Sequence, residues 1–207
     1  MFGCTNGATI ENLGLEITAA GVTGVGTYIG GLAGYASGIA IRYCYTSGNV
    51  SGTNPSDNAY IGGLAGYIIS GCSISNCCAT GDISGTGGTP PNSVRVGGLV
   101  GNNVTTSNNI NNCYATGNVT ATGTNVYAGG LVAINYGPLS NCYASGNVLV
   151  TGNGWIGGLT GTNNDVIQNC VAANGSVIAT GSTSNINRIS GYNDIYGSYQ
   201  FNYAYGG

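Results

Sequence analysis

Charge is what this chain has least of. Its 207 residues include three Arg and six acidic side chains, with no Lys and no His. That excludes a polybasic footprint for nucleic acid or an anionic membrane, which needs clustered Lys and Arg. It also leaves acid–base chemistry to Glu11, Glu16, Asp57, Asp82, Asp165, Asp194 and the tyrosines. No run of about 18 apolar residues is present, so no helical membrane span is expected. No window of about 12 residues shows an amphipathic stripe with caps, which argues against helices. A leader pattern is missing too: Met1-Phe2-Gly3 runs straight into Cys4, in mid-repeat, and the chain reads as a piece of a longer protein. Low charge accompanies disorder when hydrophobicity is also low, but 42% hydrophobic residues at recurrent positions argue for a packed chain.

What the chain does have is repetition. YIGGLAGY from Tyr28 returns as YIGGLAGYI from Tyr60, RVGGLVGN from Arg95, YAGGLVAI from Tyr127 and WIGGLTGT from Trp155. Anchored on the Leu after the glycine pair, the series is Leu32, Leu64, Leu99, Leu131 and Leu159. Met1 falls where a preceding copy would put it, and Tyr192 extends the series. The intervals are then 31, 32, 35, 32, 28 and 33 residues. A second motif follows each anchor, as in INNCYATGNVTA from Ile110, with a divergent copy, IENLGLEI, from Ile10.

The second motif has the period of a strand. Cys113, Ala115, Gly117 and Val119 alternate with Tyr114, Thr116, Asn118 and Thr120. Ile110 and Cys113 are three apart, so both face inward only if the chain bends between them. Asn76, Asn112, Asn141 and Asn169 sit at that bend, replaced once by Tyr43, and Asn tolerates left-handed turns. Ile29 and Leu32 pose the same problem. The glycine pair there either bends the strand so that both reach the core, or leaves room for close backbone approach. A phosphate cradle is not the reading, because no helix follows.

A unit of about 31 residues with two or three short strands cannot bury its apolar face alone, whereas stacked coils can. The expected fold is all-β, a parallel β-helix of about six coils some 30 Å long at the usual strand spacing. The bias of parallel crossovers favours right-handed coiling. Residues 1–182 form the repeats, and 183–207 a degenerate last repeat or cap of the same domain.

The alternation of GGLxG with xNCYATGxVxG resembles the GLUG repeat over Met1 to about Val177. That family implies a solenoid in large exported surface proteins, including adhesin-like chains and the non-catalytic part of some surface peptidases. It implies no catalytic residues.

Eight cysteines invite a disulfide or metal reading. Five of them, Cys44, Cys77, Cys113, Cys142 and Cys170, occupy the inward position, where a thiol is a small apolar filler. Without His or ribbon spacing, no metal or cofactor is expected. Cys78 takes an outward tyrosine place and is expected to be the most accessible thiol. The carboxylates do not cluster in aligned columns, so no enzyme is expected. Calcium at Asp57 and Asp165 lacks any known loop spacing.

Aromatics form two outward columns: Tyr45, Tyr114, Tyr143 and Tyr203, and Tyr28, Tyr60, Tyr127 and Trp155, the latter shared with Arg95 and Arg188. Such rings either stabilise ladders or bind sugar and protein partners. The candidate site is the face carrying Tyr45, Tyr114, Tyr143, Thr116 and Asn118. The expected protein is a non-enzymatic, extracellular, cell-surface structural or adhesive solenoid. Its expected partners are glycans, cell-surface proteins or further copies of itself, with no nucleic acid and no membrane insertion. The rivals are a carbohydrate-binding face, the repeat region of a surface protease, and ice binding. Ice would want paired Thr columns, and Ser47, Thr80, Thr116 and Ser145 supply a single column that ends at Ala173.

Overall fold

One coil shows how the alternating segments become strands. After Tyr28–Gly30 and the glycine bend, the chain runs through Ala33–Ser37, Ala40–Arg42, Tyr45–Ser47 and Val50–Asn54. It then turns back through Ala59–Gly62 into the next coil. Each segment pairs in parallel with its counterparts in the coils on either side. The computed structural model describes residues 1–87 and 92–205, and its described residues contain strands and no helix. In chain order, the first, second and third sheets hold seven strands each, of the Ala33–Ser37, Ala40–Arg42 and Tyr45–Ser47 type, and a fourth carries both the Val50–Asn54 and the Ala59–Gly62 type of strand. The protein is a parallel β-solenoid of about six turns.

The repeat columns are real ladders. Leu32, Leu64, Leu99, Leu131 and Leu159 are fully buried, and each backbone N–H but the last reaches the next leucine's carbonyl at 2.8–2.9 Å. Phe2 pairs with Ala33, which sets Met1 in front of Leu32 as expected. At the other end the register differs from the sequence reading. The Leu159 N–H bonds to Ile189, not Tyr192, and Trp155 pairs with Asn185, so Arg188 leaves the aromatic column. Its guanidinium instead hydrogen-bonds the Asn174 carbonyl. Counting toward the GGL look-alike GYN misplaced the anchor by three residues, because the last coil lacks its glycine pair. That coil carries four of the strands, from Asn185–Asn187 to Tyr203–Ala204, while Gly206 and Gly207 of the predicted last unit lie outside the described residues.

The two bends have different causes. Between the second and third sheets, Asn12, Tyr43, Asn76, Asn112, Asn141, Asn169 and Phe201 all adopt φ of 52–55°. This left-handed residue lets Ile110 and Cys113 both point inward, and Asn fits it best. At the glycine pair, both expectations hold together. A side chain on Gly31 or Gly63 would run into the next coil's carbonyl, at Gly63 and Gly98. The corner also divides the interior in two. Leu32 joins a cluster with the Ile41 and Cys44 ladders, whereas Ile29 joins a second cluster with Val50, Ile61 and Val96. Around that second cluster the Val50–Asn54 strands lie directly against the Ala59–Gly62 strands: Cβ atoms at Gly52 and Gly85 would collide with Ile61 and Val96. The solenoid therefore has a body and a thin two-layer wing.

Candidate functional site

The predicted face is the outside of the third sheet, and its register is as expected. Tyr45, Cys78, Tyr114, Tyr143, Val171 and Tyr203 are successive partners. The Tyr45 and Tyr143 rings are 41% and 39% exposed, enough to present a face to a partner. Tyr114 and Tyr143 stack at 4.9 Å with 6° between their planes. Hydrogen bonding to Cys78, with its charge, burial and Tyr143 beside it, pushes the Tyr114 phenol up to about 12. Tyr45 lies over Gly14, where an added Cβ would meet the far edge of the ring. Thr116 is half-buried in the same row of coils.

Asn118 is already engaged. Its Oδ1 accepts the Asn147 N–H at 3.0 Å, and its Nδ2 donates to Asp82 Oδ1 at 3.2 Å. Asn49, Asp82 and Asn147 likewise accept backbone N–H groups of the next coil at 2.8–3.0 Å. The column ties turn to turn by satisfying donors left over at the corner. The other carboxylates have similar local work. Asp57, Asp165 and Asp194 each accept the next residue's N–H at 2.7 Å. Glu11 pairs with Arg42 at 3.1 Å, and Glu16 accepts from the Tyr45 hydroxyl at 3.4 Å.

The five ladder cysteines are buried, and all eight cysteines are free. The N–H of Cys44 lies 3.4 Å from the sulfur of Cys77, and the contact recurs from Cys113 to Cys142 and from Cys142 to Cys170. The Cys77 thiol is pushed up by its bond to Cys113 and by burial, and Cys142 is pushed up by burial and both neighbours. The most exposed thiol is Cys4, not Cys78, which is half-covered in its column.

Two surfaces escaped the sequence reading. The first is a groove along the outside of the glycine corner. One wall is the column Tyr28, Tyr60, Arg95, Tyr127 and Trp155. The other is Tyr35, Tyr67, Asn102, Ile134, Thr162 and Tyr192. The final Tyr of YIGGLAGY was the available signal, but only two of its copies keep it. The second is a pair of hydroxyl rows on the wing: Thr23, Ser51, Ser84 and Thr120 beside Thr53, Thr86, Thr122 and Thr151. S-G-T and T-A-T at the end of the second motif carried that signal.

Residues 25–51, 57–84 and 124–149 each match the GLUG motif, and each match runs from the strand before the glycine corner to the start of the wing strand. The chain carries GLUG repeats. None of the curated proteins and none of the solved structures matches it. A GLUG coil here is a closed circuit through all four sheets: the GGL corner, the Asn bend, the Cys position and the wing strand. The chain is a repeat-containing structural region.

Proposed function

We propose that this solenoid is a non-enzymatic structural and adhesive segment of a larger exported protein, displayed at the cell surface. The observation that carries the reading is the outward row Tyr45, Tyr114 and Tyr143, interrupted by Cys78, in which Tyr45 and Tyr143 are exposed and Tyr114 is half-buried. An amphipathic ring with an apolar face and a polar tip suits a glycan or a protein surface. Single contacts of this kind are weak, and several coils engaging together raise the avidity. The chemistry-bearing side chains support the non-catalytic part, since each carboxylate is held by a neighbour or its own turn. A repeat region of a surface protease would use the same scaffold in the same passive role. Replacing Tyr114 and Tyr143 with Ser tests the face. Lost binding to cells or immobilised glycans with an unchanged melt supports it, whereas a lowered melt with unchanged binding makes the rings purely structural.

The paired hydroxyl rows favour a second reading, in which the flat wing orders water or binds ice. The rows are in register on a parallel sheet and break at Val25, Leu149 and Ile178. Ice-recrystallisation assays of the wild type and of Thr86→Leu/Thr122→Leu test it, and equal behaviour of the two proteins ends it.

A further inference from the structure

The groove at the glycine corner is filled at one end and open at the other. In the first two coils Tyr28, Tyr35, Tyr60 and Tyr67 pack across it with ring centroids 5.0–5.5 Å apart. From the third coil on, the facing wall changes from Tyr to Asn102, Ile134 and Thr162, and the rings no longer meet. What remains is a cavity of about 520 Å³ lined by Arg95, Tyr127, Ile134, Trp155, Asn164 and Asp194, among others. That is the size of a small-ligand site.

Its walls are chemically specific. Tyr127 and Trp155 stack on each other at 4.8 Å with 17° between their planes, so ring edges line the groove, and the next coil sets Asn185, not a further ring, beside Trp155. Beside the stack the Arg95 guanidinium lies 4.6 Å from the Tyr60 ring centre and 5.4 Å from that of Tyr127, held flat by cation–π contact. Among the described residues the only salt bridge joins Arg42 to Glu11, so the Arg95 charge has no counter-ion. Its Nε is buried without a hydrogen-bond partner. On the facing wall of the same coil Asn102 is 5% exposed, and its Oδ1 also lacks a partner. Buried polar groups are ordinarily paired, so these two open ones mark the Arg95 coil as short of polar partners. Asn164 stands about two coil spacings from Arg95, and Asp194 at the far end about three, or roughly 14 Å.

Building on the adhesive reading above, we propose that the open half of this groove binds a short acidic oligosaccharide, with one pyranose face on Trp155, the last ring of its stack, and a sugar carboxylate at Arg95. One coil advances about as far as one unit of an extended sugar chain, and Arg95 and Trp155 are two coils apart, so the two contacts fall on the first and third units of a trisaccharide. Asp194 sets the polarity: it repels a carboxylate and accepts from hydroxyls, which places the acidic unit at the Arg95 end.

Trp155 is the single tryptophan of the chain, so its fluorescence reads the groove alone. Trigalacturonate titrated into the protein should give a saturable change, and neutral cellotriose should bind about tenfold more weakly, since a charge-assisted guanidinium–carboxylate contact is the difference. Arg95→Gln should bring trigalacturonate down to the cellotriose level. Ile134→Tyr, which leaves Arg95 and Trp155 in place and plugs the groove, should abolish both signals at an unchanged or raised melting temperature. The idea is overturned if neither sugar gives a saturable signal, if both bind equally, or if folded Arg95→Gln keeps the acidic preference. Should Arg95→Gln fail to fold, loss of the preference as salt is raised takes its place, and a salt-independent preference overturns the Arg95 assignment. Tyr114→Ser/Tyr143→Ser separates this site from the third-sheet face: the titration persists there whether or not cell binding is lost.

Discussion

The first two coils and the four that follow share one backbone and differ in two columns. On the outer wall of the corner, Tyr35 and Tyr67 are followed by Asn102, Ile134 and Thr162, and a filled groove becomes an open one. One residue further along the chain, on the inside, Ala36 and Ile68 are followed by Asn103, Asn135, Asn163 and Asn193. The apolar pair packs into the core. The asparagines instead form a ladder, each Nδ2 donating to the next Oδ1 at 2.8–2.9 Å. Asn135 also donates to the Gly137 carbonyl at 2.7 Å, and Asn108 donates to Asn103 Oδ1 at 2.7 Å. A stacked-coil backbone holds its own hydrogen bonds, so a column can be exchanged wholesale if every member still satisfies its neighbours. The two halves thus solve the same packing problem by dispersion and by amide pairing.

The comparison breaks most forcefully at the amide ladder. Asn135→Ala should cost about 3 kcal/mol, because buried partners on both sides and the Gly137 carbonyl lose their bonds. Thermal melts check this, and a loss no larger than that of Ala36→Gly would mean that the ladder is incidental. Tyr67→Ser should cost about 2 kcal/mol through three lost ring contacts and open the groove's other end. Greater accessibility of Tyr28 to chemical modification should accompany the lower melt. Tyr43→Asn runs in the other direction. Tyr43 holds φ 53° where the neighbouring coils have Asn, and relieving it should stabilise by about 1 kcal/mol. A melt that falls would show that the exposed ring contributes more than the backbone strain costs.

The smallest effect is with pH. Burial first, then neighbouring phenols, raises Tyr28 and Tyr67 above their ordinary value of 10.0. The folded protein therefore holds these protons more tightly than the unfolded chain does. Their contribution is complete below pH 10.0 and is lost as pH rises above it. Tyrosinate absorbance should lag in these two phenols, and Tyr67→Ser should flatten the alkaline decline in stability.

Most of the fold was legible because a solenoid converts chain period into spatial neighbourhood. The Leu, Cys and Asn columns each came from one repeated spacing, and the left-handed residue followed from two inward side chains three apart. The aromatic row at Tyr45, Tyr114 and Tyr143 was legible for the same reason, since alternation alone turns it outward. Legibility ended where the period did. In the last coil the glycine pair is gone, and register passed to backbone hydrogen bonds that set Ile189 rather than Tyr192 against Leu159.

By itself, then, the sequence determined the all-β class, the stacking of parallel coils and the residues that form each ladder, because identical spacing forces identical neighbours. Only the tertiary structure decided how those ladders are grouped. The glycine corner divides one apolar interior into a body and a wing, and it turns Tyr28 and Tyr35, seven residues apart, toward each other across a groove. It also brings Arg95, Trp155 and Asp194, from different coils, along one cavity. The physical reason is that alternation fixes only the side of the sheet on which a residue lies. Which outward faces then meet depends on the angle between sheets, and that angle is set by backbone packing at glycine pairs that look alike in the five repeats that keep them.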